Sequence, residues 1–309
     1  MSHWAVTYQL TWAGFARNWI SLKLFYTTER LISICYNGLN MMEFIKLARR
    51  RGVVADLIHT LFNVLFAVAV ICLTAIFGTP LPAILLVVLS KWRVIAVRPR
   101  YWWANFLSSL PDLIFGVGMA VISWCCSQLA DGYALAGTPL PISPLIIQIT
   151  LCVIYAWWLV SIKPKHSEAM IGFQALASQV VGLTAIFSVS GGLPLLAVML
   201  LAFVVAFSSA RQAIGIFEEK DQDLLATVWG LLVMELTFVS WHWSVFYQLT
   251  PLIRVPQIAI ISAMISVIAF RVYRAWHDDR RVTWDELGAP VVLTLAITLL
   301  VLFVFSGLY

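Results

Sequence analysis

Apolar residues come in long runs along this chain, separated by short polar or Pro/Gly-containing stretches. Several runs approach the roughly 20 residues that a helix needs to cross ~30 Å of hydrocarbon. The pattern predicts nine spans, at about 57–77, 81–98, 104–127, 143–162, 169–188, 193–210, 224–247, 256–273 and 288–308. The connections are short, so consecutive helices are expected to be antiparallel neighbours. The strict alternation of a membrane β-barrel is absent. The predicted fold is an all-α polytopic membrane protein with about nine transmembrane helices.

A repeat underlies these spans. Leu73-Thr74-Ala75-Ile76-Phe77 recurs as Leu183-Thr184-Ala185-Ile186-Phe187, and a turn with a Leu-Pro pair follows each copy, at Leu81-Pro82 and Leu193-Pro194. Gly78-Thr79-Pro80-Leu81-Pro82 also recurs as Gly137-Thr138-Pro139-Leu140-Pro141. Proline suits the first turn of a helix, where its missing N–H has no partner to lose. The repeating unit holds four spans, an even number, so both copies have the same orientation. Two parallel four-helix repeats related by an axis along the membrane normal follow, as in some transporters, with one terminal helix left over. The expected organisation is 1–55 as interfacial helices, 56–165 as repeat one, 166–275 as repeat two, and 276–309 as a loop and C-terminal span.

Composition agrees with this pattern. The 309 residues are 61% hydrophobic and 11% charged, against about 25% charged in soluble domains. Mean hydropathy is +0.91. Charge adds orientation. Nineteen of the 20 Lys and Arg residues fall on one side of the predicted spans, and only Arg254 falls on the other. The positive-inside rule then places the N-terminus in the cytoplasm and the C-terminus opposite, in the cell or inner membrane. The net charge of +5 is explained by this topology and gives no reason to expect nucleic acid as a partner. Residues 1–30 lack a compact apolar run with a small-residue cleavage site, so the first span is expected to act as its own insertion signal.

Ahead of the spans, Trp4, Tyr8, Trp12, Phe15 and Trp19 recur at spacings of three or four, one stripe on a helix. Such a stripe suits the headgroup layer or a docking surface for other membrane subunits. Lys46, Arg49, Arg50 and Arg51 form a basic cluster suited to anionic lipid, at roughly 1 kcal/mol per residue.

Charges at membrane depth are costly and mark functional candidates. Glu235 falls near the middle of its predicted span. His242, seven residues on, shares its face about 10 Å along the axis, so the two are placed to line one path. Gln174, Ser178 and Gln179 are polar where the first copy has Val64, Val68 and Ala69, and Gln174 and Ser178, four apart on one face, complete a candidate solute- or ion-binding set. Asp112 is expected at the depth of Lys91 and Arg93, because the three lie at similar distances from the intervening turn. Opposite charges there relieve one another's desolvation, so a structural ion pair is predicted.

The five cysteines include the adjacent pair Cys125-Cys126, which no second cysteine pair or histidine cluster accompanies, so these thiols are expected to behave as small hydrophobes. No P-loop, HExxH, GxSxG or dinucleotide fingerprint is present. No enzyme activity, metal or cofactor is predicted. Two function classes remain: a secondary transporter or channel built around Glu235, and a non-catalytic subunit of a larger membrane complex that docks through its aromatic N-terminal stripe.

Overall fold

The computed structural model describes residues 40–92, 94, 101–135, 144–217, 219–243, 245–250, 253–279, 288 and 291–299. The aromatic stripe Trp4 to Trp19 and Arg93 lie outside these residues. Among the described residues, the principal α-helices are α1 Asn40–Phe77, α2 Leu81–Ser90, α3 Trp102–Leu135, α4 Pro144–Trp157, α5 Glu168–Val189, α6 Leu195–Ile214, α7 Gln222–His242 and α8 Gln257–Asp279. Seven of them contain a stretch long and apolar enough to cross a membrane, and α2 is the shorter exception. Large apolar side chains such as Phe62, Leu85, Val153, Leu196 and Leu231 remain exposed on their outward faces. Exposed apolar surface on this scale is foreign to a soluble monomer and normal against lipid.

A span boundary differs from the sequence pattern at the end of α7. The span expected at 81–98 begins as α2; residues 92 and 94 beyond it are also helical, and 93 and 95–98 lie outside the described residues. The span expected to continue to residue 247 stops at His242. Beyond it stands an antiparallel hairpin, β1 Phe246–Thr250 paired with β2 Ile253–Pro256, with Tyr247 opposite Val255 and Gln248 opposite Arg254. The Val245-Phe246-Tyr247 run favours extended backbone. Outside the spanning helices, burial raises the Tyr247 phenol pKa, and a hydrogen bond with Gln257 acts against that shift. Of the ninth expected span, residues 288 and 291–299 are helical, and the rest lies outside the described residues. The basic residues Lys46, Arg49, Arg50 and Arg51 sit on the same unbroken helix that continues as the first span.

Two lines of side-chain contact fix the direction of α3. Near its start, Asp112 meets Lys91 at the end of α2. Near its end, Trp124 Nε1–H donates to the Gly78 carbonyl at 2.7 Å, in the turn between α1 and α2. Helix α3 therefore runs antiparallel to α2. Buried Thr74 and Ser123 share a hydrogen bond of 3.0 Å between α1 and α3, the kind of polar link that joins helices in apolar surroundings.

The turn itself depends on Gly78, whose φ is +61°. A Cβ there would touch nothing within 4 Å, so only the backbone conformation resists a side chain. Gly78→Ala is expected to cost about 1 kcal/mol, read as a small fall in thermal midpoint with no change in helicity.

Buried apolar residues form two clusters. One joins α1 to α4, including Val70, Val87, Phe115 and Tyr155, and reaches Ala185 on α5. The other joins α5 to α8 through Leu183, Val198, Val205, Val233 and Ala259. Close helix approach in both relies on glycine. A Cβ on Gly118 would stand 2.7 Å from Val181 Cγ1, and one on Gly230 would stand 2.8 Å from the Phe203 ring.

Candidate functional site

Two polar assemblies lie within the apolar helices. The first is centred on Asp112, which follows Pro111 inside α3. Lys91 Nζ donates to Asp112 Oδ2, and Lys163 Nζ lies 2.8 Å from the same oxygen. Trp158 Nε1–H donates to Oδ1 at 3.2 Å. Trp158 stacks on Phe115 with ring centroids 3.7 Å apart and planes 7° apart. A π-helical turn, Trp158–Ile162, ends α4, and the Lys163 N–H bonds to the Trp158 carbonyl at 2.9 Å. This wide turn delivers an indole and an ammonium to one carboxylate. Three donors, one from the end of α2 and two from the turn after α4, satisfy Asp112, so the assembly is a closed lock between helices.

The second assembly lines a cavity of about 610 Å³ between α5, α6, α7 and α8. That size lies within the ~300–1,000 Å³ common for small-molecule sites. Phe173, Leu176, Leu225, Trp229 and Phe270 supply apolar wall, while Arg271 and Arg274 stand at its α8 end. Gln179, Ser209 and Ser266 also line it. Gln179 is fully buried, about 16 Å along α5 from Glu168. Its Oε1 lies 3.0 Å from Ser209 Oγ and 3.1 Å from Ser266 Oγ. Its Nε2 is buried without a partner. Three helices thus converge on one amide at membrane depth.

The predicted binding residues are not gathered in this cavity. Val233 and Thr237, together with Ala226 and Gly230, form the buried stripe of α7. Glu235 is two residues from each of Val233 and Thr237, about 200° around the helix, and is exposed. It does not enter the bundle as expected. His242 is also exposed and meets the Phe238 ring edge-on at a centroid distance of 5.0 Å. Gln174 Nε2 donates to the Ile162 and Lys165 carbonyls at 2.9 and 3.2 Å, and its Oε1 accepts from Gln212 at 3.1 Å. It therefore ties the α4 terminus to α6. Ser178 is buried and donates to the Ala175 carbonyl on its own helix at 2.8 Å. Among the described residues, no group of three His, Cys, Asp or Glu side chains is placed to hold a metal ion.

Gln179 was marked in the sequence as a polar residue of the fifth span; Lys163, Ser209 and Ser266 were not singled out. Each is a polar residue inside or beside an apolar run, and that was the available signal. What joins them is helix phase and packing.

No protein-family model, curated protein or solved structure matches the chain. The class therefore rests on the molecule itself. Its helices have the length, composition and outward apolar surface of an integral, multi-pass membrane protein.

Proposed function

We propose that the protein is a secondary transporter that takes a small solute into the cavity between α5, α6, α7 and α8. The observation that carries this reading is the buried Gln179–Ser209–Ser266 cluster on the cavity wall. Polar groups cost free energy in an apolar interior unless they are partnered, and here three of them face one space large enough for a ligand. The tandem four-span pattern supports the same reading, because parallel repeats recur among transporters. The bias of basic residues supports a cytoplasmic position for the Arg271 end of the cavity. In this arrangement Gln179, Ser209 and Ser266 take the binding role first assigned to Glu235, His242, Gln174 and Ser178.

Ala210 also lines the cavity, and Ala210→Trp fills it from the α6 side. A ligand that binds only the folded state stabilises it by about 2.7 kcal/mol at a hundred times its dissociation constant. Thermal unfolding of the purified protein across a panel of amino acids, sugars, nucleosides and fatty acids is therefore expected to show stabilisation by one class. Ala210→Trp should unfold at the unliganded wild-type midpoint and show no such shift. Equal shifts in both proteins, or none in the wild type, would count against the cavity as a binding site.

A second reading is favoured by Glu235. An exposed carboxylate among Leu231, Leu232, Phe238 and Val239 is costly against lipid and is relieved by a donor from another subunit. In that case Glu235→Gln leaves ligand stabilisation intact and weakens association with the partner.

A further inference from the structure

The wall of the cavity defines what it accepts, and proton counting around Gln179 gives the first constraint. Ser209 Oγ lies 2.8 Å from the Ala175 carbonyl as well as 3.0 Å from Gln179 Oε1. Ser266 Oγ lies 2.8 Å from the Ser262 carbonyl and 3.1 Å from the same Oε1. Each hydroxyl owns one proton, and in both cases the shorter contact is to the backbone carbonyl. Once those protons are given to Ala175 and Ser262, each serine offers Gln179 only a lone pair. The amide nitrogen, which has two protons, then belongs between the two serines, since the two ends of an amide are told apart by their partners. Turned this way, Gln179 satisfies both hydroxyls. The buried end without a partner becomes its carbonyl oxygen, an acceptor that calls for a donor.

The second constraint is at the α8 end. Arg274 pairs with Glu168 at 3.4 Å, and Arg211 pairs with Asp223 at 2.7 Å. Arg271 is exposed, lines the cavity and has no ion pair among the described residues. A guanidinium left this way at the mouth of an apolar cavity suits a carboxylate or phosphate. Arg271 stands five residues from Ser266, about 8 Å of axial rise, with the length of its own side chain added. Phe173, Leu176, Trp229 and Phe270 supply apolar surface along the cavity.

We propose that the cavity binds a single-chain amphipathic anion. Its acidic head pairs with Arg271, its chain lies along the apolar wall, and a mid-chain hydroxyl donates to the free carbonyl of Gln179. This rests on the cavity being the binding site proposed above and names the ligand class for it.

Equilibrium binding of radiolabelled ricinoleate, oleate and methyl ricinoleate to the full chain in nanodiscs of neutral lipid tests the proposal. Ricinoleate should bind saturably and about tenfold tighter than oleate, the scale of one buried hydrogen bond. Methyl ricinoleate and Arg271→Gln should each lose about tenfold, the scale of one charge-assisted contact. Gln179→Leu should erase the preference for ricinoleate over oleate while keeping oleate binding. Competition by an anionic lysophospholipid would assign the natural ligand to the bilayer, and lack of competition would assign it to free acids. Equal binding of acid and methyl ester, or no saturable binding of either acid, overturns the proposal. Maleimide labelling of Ala213→Cys, another wall position, separates the two failures. Labelling that ricinoleate does not slow leaves the cavity standing and removes this ligand class. No labelling removes the cavity, and the transporter reading with it.

Discussion

Asp112→Asn destabilises the protein by about 3–5 kcal/mol, the cost of leaving a buried charge without its counterion. Lys91 is buried at the end of α2, and the carboxylate is its partner. Asparagine retains an acceptor for the Trp158 indole but gives neither ammonium a negative charge. Lys163 is 42% exposed along its side chain and can turn toward water. Lys91 cannot do so without leaving its place, so it carries most of the penalty. The double variant Lys91→Met, Asp112→Leu is expected to recover most of the loss, because apolar replacement of a buried pair is often neutral. The Trp158 N–H is then left without its acceptor, at a cost of about 1–3 kcal/mol. Thermal unfolding of the three proteins in one detergent checks this order. A single variant as stable as the wild type would show that the lock contributes nothing.

Gly182→Leu prevents assembly of the helices around α5, and Gly182→Ala costs about 1–3 kcal/mol by overpacking. A Cβ on Gly182 would stand 2.7 Å from Ile114 Cγ2 and 2.9 Å from Val205 Cγ1. Those atoms belong to α3 and α6, so no single side chain can give way and clear the space. Helices in lipid associate mainly through van der Waals packing, and small residues permit that closeness. Gly192 is the control, because a Cβ there meets nothing within 4 Å. Gly192→Ala is expected to change stability by less than about 0.5 kcal/mol, as surface substitutions usually do. Size-exclusion profiles and thermal midpoints distinguish the two positions. Similar losses at both would remove the packing argument.

The legible and illegible parts of this chain divide along physical lines. Span positions were readable because crossing a bilayer demands a long apolar run whatever the tertiary structure, and seven such helices are present among the described residues. The Lys91–Asp112 pair was readable because both residues lie on adjacent helices, where distance from a shared turn sets depth. Lys163 was not, because it arrives from α4 through a π-helical turn that departs from regular helical phase. The hairpin after His242 was missed because aromatic and β-branched residues serve equally well in an apolar helix and in a strand.

Glu235 shows how depth alone misleads. Its position along the span suggested the interior, yet its position around the helix places it opposite the buried stripe. That stripe, Ala226, Gly230, Val233 and Thr237, is made mostly of small residues at spacings of three and four, so the phase of α7 was present in the sequence. Gln179, Ser209 and Ser266 lie on three helices separated by as many as 87 residues. Their convergence depends on how α5, α6 and α8 pack, which no single-helix pattern contains.

The central claim is that the cavity between α5, α6, α7 and α8 holds a ligand. Native mass spectrometry of the protein released gently from its own membrane tests it most directly, with the wild type and Ala210→Trp compared side by side. The account predicts a small-molecule adduct on the wild type that is missing from the variant. The same adducts on both proteins, or none on either, would contradict it.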